Sequence, residues 1–219
     1  TPKDPGVKPF LMRAASTVKP FDVPKASTLL VFDGKFPTDD ADAYLADRQR
    51  LSMLSGVLTR RLRTRLREEL GATYGVMVLD RTYPLPEEHY QLLFAFDAAP
   101  DRMRAMQREM RRIFDAVRDS GATAEELARV EASERRQLET LLQDNDYWMQ
   151  RIGLFARLGL PLDRIVDPYA EESITPAELA GAARRYLPDD VYISITAMPD
   201  DDLMARLDSA SGEGQGIDR

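Results

Sequence analysis

The chain has 219 residues, 43% hydrophobic and 31% charged, with a formal net charge of −7, one histidine and no cysteine. That length and apolar fraction can build a substantial core, in one large or two small domains. The acidic balance argues against a nucleic-acid binder, the missing thiols exclude disulfides and thiolate metal ligands, and no apolar run approaches the roughly 18 residues of a membrane helix. The opening Thr1-Pro2-Lys3-Asp4-Pro5 has neither a methionine nor a basic-then-apolar leader, and it reads as a segment processed or excised from something longer.

Residues 1–24 are proline-rich and lack sustained periodicity, so they are read as a linker or lead-in, with room for an edge strand at its end. Ser27 to Phe32 carries the apolar run Leu29-Leu30-Val31-Phe32 before Asp33-Gly34, which predicts a buried strand. From Asp39 to Leu70 a long helix is expected, with Leu54, Leu58, Leu62, Leu66 and Leu70 down one side and Gly71 closing it. Arg60, Arg61, Arg63, Arg65 and Arg67 crowd the same helix and read as its solvated face. Tyr74 to Leu79 and Tyr90 to Phe96 predict two adjacent strands joined through Thr82–Glu87.

Met103, Met106, Met110, Ile113, Phe114 and Val117 recur at three and four, the core stripe of a second helix. Thr123 and Glu126 have capping-box spacing and open a long helical region reaching Trp148, Ile152 and Phe155, with a break near Asp144-Asn145-Asp146. Leu160-Pro161-Leu162-Asp163 ends it, and a short helix is expected over residues 164–171. Thr175-Pro176-Ala177-Glu178 combines a cap, a first-turn proline and a reciprocal glutamate. That helix runs to Tyr186, Pro188 stops it, and Val191 to Thr196 alternates as a closing strand. The order predicts an α+β fold, a mostly antiparallel or mixed sheet with long helices on one face. The expected division is lead-in 1–24, one domain over 25–199, and a disordered tail over 200–219.

Arg67 and Tyr74, seven positions apart, bracket the point where the long helix yields to a strand. A guanidinium and a phenol can both donate to an oxygen that gains negative charge, so the pair could hold a peptide carbonyl. The plainer reading makes Arg67 a last-turn cation suited to the helix dipole and Tyr74 an ordinary strand aromatic. Other chemistry is missing. His89, in Glu87-Glu88-His89-Tyr90, reads as a surface histidine and cannot build a zinc site alone. Neither His-Glu-x-x-His nor His-x-x-Glu-His occurs, and there is no Gly-x-Ser-x-Gly elbow and no glycine-rich phosphate loop. The chain thus carries no metal or cofactor site of its own and lacks the parts of a self-sufficient enzyme.

Three stretches resemble the C-terminal, non-zinc-binding domains of pitrilysin/insulinase-type zinc metallopeptidases, the inverted zincins. They are residues 62–76, with Arg67-Glu68-Glu69-Leu70-Gly71-Ala72-Thr73-Tyr74; Asp144-Asn145-Asp146-Tyr147-Trp148; and Ile174-Thr175-Pro176-Ala177-Glu178-Leu179 running on to Leu187. The resemblance implies a clam-shell domain like those of the LuxS and mitochondrial processing peptidase folds, set in a large parent of repeated α/β domains. Zinc would lie in the N-terminal half, held by His-x-x-Glu-His, on the same polypeptide or a separate subunit. Arg67 and Tyr74 fall on the motif through which the zinc-free half reaches the substrate carbonyl or oxyanion. A zinc endopeptidase enclosing peptides is the implied activity, and a periplasmic or extracytoplasmic setting is favoured. The alternative is a catalytically silent scaffold or processing-type subunit of the same fold. Either way the expected partners are the zinc-bearing half and, for the peptidase, a peptide; no nucleic acid and no membrane span are expected.

Overall fold

The two most apolar segments become the two middle strands of one sheet. In the computed structural model, which describes residues 15–21, 25–36, 41–71, 73, 75–83, 88–166 and 173–200, β2 (Ala26–Lys35) runs antiparallel to β4 (His89–Ala98), with Leu30 opposite Phe94. β3 (Val76–Tyr83) pairs antiparallel with β4, as expected of neighbouring strands, while residues 84–87 between them lie outside the described residues. On the far side of β2, β5 (Ile193–Pro199) pairs antiparallel with it, and β1 (Ala15–Phe21) lies parallel to β5 at the edge. The sheet is therefore mixed, in the order β1-β5-β2-β4-β3, and it reaches back into the proline-rich lead-in.

Among the described residues five α-helices accompany it: α1 (Ala41–Leu62), α2 (Pro100–Ser120), α3 (Ala124–Leu141), α4 (Asn145–Leu158) and α5 (Pro176–Tyr186). Strand side chains alternate between faces. Leu30, Phe32, Leu92, Phe94 and Phe96 point to one side and share a single core with the leucines of α1, the methionine stripe of α2 and Leu179, Ala183 and Tyr186 of α5. Phe94 and Phe114 meet there at 4.7 Å between ring centroids. Thr28 and Thr196 are buried on the same side because Gln107 of α2 donates to both hydroxyls, at 3.0 and 2.9 Å, which removes the cost of leaving them unpaired.

Local chemistry sets the helix ends. Thr123 and Glu126 cap α3 reciprocally, and Thr175 and Glu178 do the same for α5 behind Pro176. The long helical region breaks where expected: Asp144 accepts from the Asp146 amide at 2.9 Å and starts α4. One detail differs from the sequence reading. The first helix does not stay α-helical to Leu70 but passes at Leu62 into a π-helix over Arg63–Glu69. Of the short helix expected over residues 164–171, the described part is a 3-10 turn over Leu162–Ile165, and residues 167–171 lie outside the described residues. Residues 1–14 and 201–219 lie outside the described residues.

Candidate functional site

Arg67 rides on the π-helix. Leu62 and Leu66 are fully buried and anchor that segment to the core. On its outer side Arg65 donates Nε to Glu109 of α2 at 3.1 Å and Nη1 to Glu69 at 2.7 Å, while Arg112 donates to the same Glu109 at 2.5 Å. Glu109 is held below the ordinary carboxylate range chiefly by the bond from Arg65, and the two acids raise the Arg65 guanidinium in return. Arg102 of α2 donates to the Leu70 carbonyl at 3.3 Å, capping one of the carbonyls a helix end leaves open.

The chain then reverses. The Gly71 amide bonds the Arg67 carbonyl at 3.1 Å, with Gly71 at φ 54°, the left-handed geometry that glycine adopts without a Cβ clash. Thr73 closes a tight turn before β3, its hydroxyl accepting from the Gly75 amide at 3.2 Å and donating to the Gly75 carbonyl at 2.9 Å. Between these fixed points the Arg67 side chain is exposed and makes no ion pair among the described residues. The structure brings Arg67 to the helix-to-strand junction, and Tyr74 lies outside the described residues.

The arginine ladder divides. Arg60, Arg63 and Arg67 are exposed, as a solvated face requires. Arg61 and Arg65 instead reach other helices, Arg61 through a two-pronged bond to Glu126 of α3 at 2.8 Å on each arm. No spacing rule singles them out, because their partners lie 65 and 44 residues away. A groove of about 680 Å³ runs between α1, α3 and α4, with Arg63, Thr64 and Glu68 at its π-helix end; Arg67 does not line it.

His89 is half-buried rather than a plain surface side chain, its ring stacked on Tyr83 at 4.8 Å. Among the described residues no three His, Asp or Glu side chains cluster as metal ligands. With one imidazole and no thiol, the donor set does not fit a zinc ion.

The geometry defines an α+β domain that delivers a cation to the end of its sheet from a clamped turn. Residues 3–133 match the family described as the peptidase M16 inactive domain, and the chain belongs to that family. The match spans the whole stretch from Arg63 to Val76. Among solved structures, the fold is similar to a protease from Helicobacter pylori, with a TM-score of 0.70 at 16% identity, over 87% of this chain and 45% of that one. It is also similar to a peptidase M16 inactive domain from Pseudomonas fluorescens, at 0.67 and 19%, over 86% and 45%. The periplasmic protease PqqL from Escherichia coli gives 0.65 and 17%, over 85% of this chain and 20% of that one. The chain thus spans between a fifth and less than half of each of these proteins, and at such identities the likeness concerns the fold. No curated protein matches the chain in sequence. The resemblance to the non-zinc-binding domain of insulinase and pitrilysin-type peptidases is borne out by the family and the fold together, and so is the expected α+β class.

Proposed function

We propose that this chain is the zinc-free, substrate-embracing module of a zinc endopeptidase that encloses and cleaves peptides. In this reading Arg67 and Tyr74 donate to the scissile carbonyl, or to the oxyanion that replaces it. The observation that carries the reading is Arg67 itself, exposed and without an ion pair among the described residues, on a turn held by buried Leu66 and the Arg65–Glu109 bond. The anchored backbone limits where the guanidinium can reach, and a donor already placed near the developing charge has less to reorganise. A π-helical segment fits the same role, since these rare turns occur frequently at functional sites.

The division of labour is chemical. A zinc-bearing partner half, on the same polypeptide or a separate subunit, supplies the metal-activated water. This chain's residues bind and orient: Arg67 supplies a fixed charge, Tyr74 a neutral donor, and Gly71 the reversal of the chain between them. An extracytoplasmic setting belongs to the same proposal, supported by the periplasmic relative.

The test is the doubly substituted parent, Arg67→Ala with Tyr74→Phe, assayed on peptides. Turnover falls by about one to three orders of magnitude, the usual effect of losing oxyanion donors. Arg67→Ala by itself shifts stability by no more than about 0.5 kcal/mol, because Arg67 is exposed. Unchanged cleavage by that parent would refute the assignment and leave the silent-subunit reading in its place.

A further inference from the structure

The groove of about 680 Å³ between α1, α3 and α4 has the size of a ligand site, for which about 300–1,000 Å³ is usual. Gly56 of α1 and buried Val130 of α3 both line it and lie against each other. On the α1 side the lining runs from Tyr44 to Arg63, about 28 Å at about 1.5 Å per residue. A compact small molecule covers only part of that length, whereas an extended peptide of about eight residues covers all of it.

The groove is richer in positive charge than the molecule around it. Four arginines and three carboxylates line it, in a chain whose net charge is −7. Of the carboxylates, Asp80 is held by Arg48 at 2.5 Å, Glu134 accepts from Ser52 at 2.7 Å across the two helices, and Glu68 stands at the π-helix end. The other three arginines make no ion pair among the described residues: Arg60 and Arg63, both exposed, and Arg151 of α4. Arg151 lies over the Tyr147 ring, 5.5 Å from its centroid, a contact that steadies the guanidinium without neutralising it. The side chains of Gln49 on α1 and of Ser133 and Gln137 on α3 make no hydrogen bond among the described residues, so both walls offer amides or hydroxyls to a chain lying between them.

We infer that this groove binds an extended acidic stretch of the peptide substrate, its carboxylates taken by Arg60, Arg63 and Arg151 and its backbone by Gln49, Ser133 and Gln137. The inference rests on the reading above that the chain embraces a peptide, and it names the class of peptide. A guanidinium presents a planar fork that matches a carboxylate. A nucleic acid would meet the same arginines, but its unbroken negative charge would also face the acidic remainder of the protein, which a peptide with a few acids avoids. The link to the substrate is positional: the groove ends at Glu68, next in sequence to Arg67, so a peptide leaving that end arrives at the helix-to-strand junction.

Binding is read by fluorescence anisotropy on the full 219-residue chain, with a labelled peptide of about eight residues carrying glutamates and with its glutamine counterpart, in low salt where exposed charges are weakly screened. The glutamate peptide binds about tenfold more tightly. Arg60→Gln with Arg151→Gln weakens it by about tenfold, the order expected from two lost ion pairs. Ser133→Trp, which keeps every charge and fills the groove, weakens it as well. Arg104→Gln with Arg108→Gln, the same charge removed from the exposed side of α2, leaves it unchanged. Equal affinity for the two peptides overturns the inference, as does an equal loss in the α2 control or tighter binding of an oligothymidylate of similar length. In the parent, Arg60→Gln with Arg151→Gln raises KM for a cleavable peptide bearing the acidic stretch by about tenfold, and an unchanged KM overturns the assignment of the groove to substrate. A parent that cleaves nothing, beside a chain that still separates the two peptides, refutes the proposed activity and supports the groove as an acidic-peptide site.

Discussion

At Gly56, midway along α1, a Cβ would lie 2.4 Å from Cγ1 of Val130 in α3. Helix propensity alone favours alanine there by about 1 kcal/mol. The contact opposes it, since Val130 is buried and β-branched, with one strongly preferred rotamer in a helix, and overpacking costs about 1–3 kcal/mol. The steric effect wins, so Gly56→Ala lowers the urea midpoint and the Gly56→Ala, Val130→Ala double variant recovers part of the loss. A midpoint raised by Gly56→Ala would show that α3 can retreat freely. Gly121 is less forgiving: its φ is 71°, and a Cβ there would meet the Pro176 carbonyl oxygen at 2.0 Å, which is backbone and cannot rotate away. At this scale the sequence discloses residue types and spacing, so Arg67 and Tyr74 stand out. It does not separate Arg65 from Arg67, because what makes one an anchor and leaves the other exposed is a glutamate 44 residues on.

The start of α3 joins two effects. Glu126 closes the capping box with Thr123 and also receives Arg61 of α1, and the Arg61 bond is the main reason its carboxyl is held down at about 2. A folded value below the ordinary 4.5 means the stabilisation is complete above about pH 5 and drains away as pH falls toward about 2. Thermal melts across that window fall less steeply for Glu126→Gln than for the parent sequence, and parallel curves would contradict the assignment. Thr175→Ala, at the matching box of α5, costs about 1 kcal/mol at all pH values where Glu178 is ionised, readable by chemical denaturation. Both boxes were legible because they are local, a hydroxyl and a carboxyl three residues apart. The π-helix was not, since α and π turns present the same leucine stripe and no residue type marks the change.

For the whole molecule, the sheet's order was harder to read than its strands. Strand existence follows from apolar runs, but pairing β1 with β5 joins segments 178 positions apart, such as Thr17 with Ile195, and no local signal reports that. The arrangement has a testable asymmetry. Removing residues 1–21 takes away one edge strand and leaves β5 covering β2. Ending the chain at Pro188 removes β5, strands β1, and opens the apolar β2 to pairing with other molecules. Sedimentation finds the first variant monomeric and less stable, and the second self-associated; identical behaviour would contradict this. The same topology bears on synthesis. On the ribosome, β2, β3 and β4 emerge early and can pair at once, while the strand that must slide between β1 and β2 is made last of the five. The nascent chain therefore carries an unfinished sheet for most of its elongation, and its vulnerability to aggregation ends only when residue 199 clears the exit tunnel.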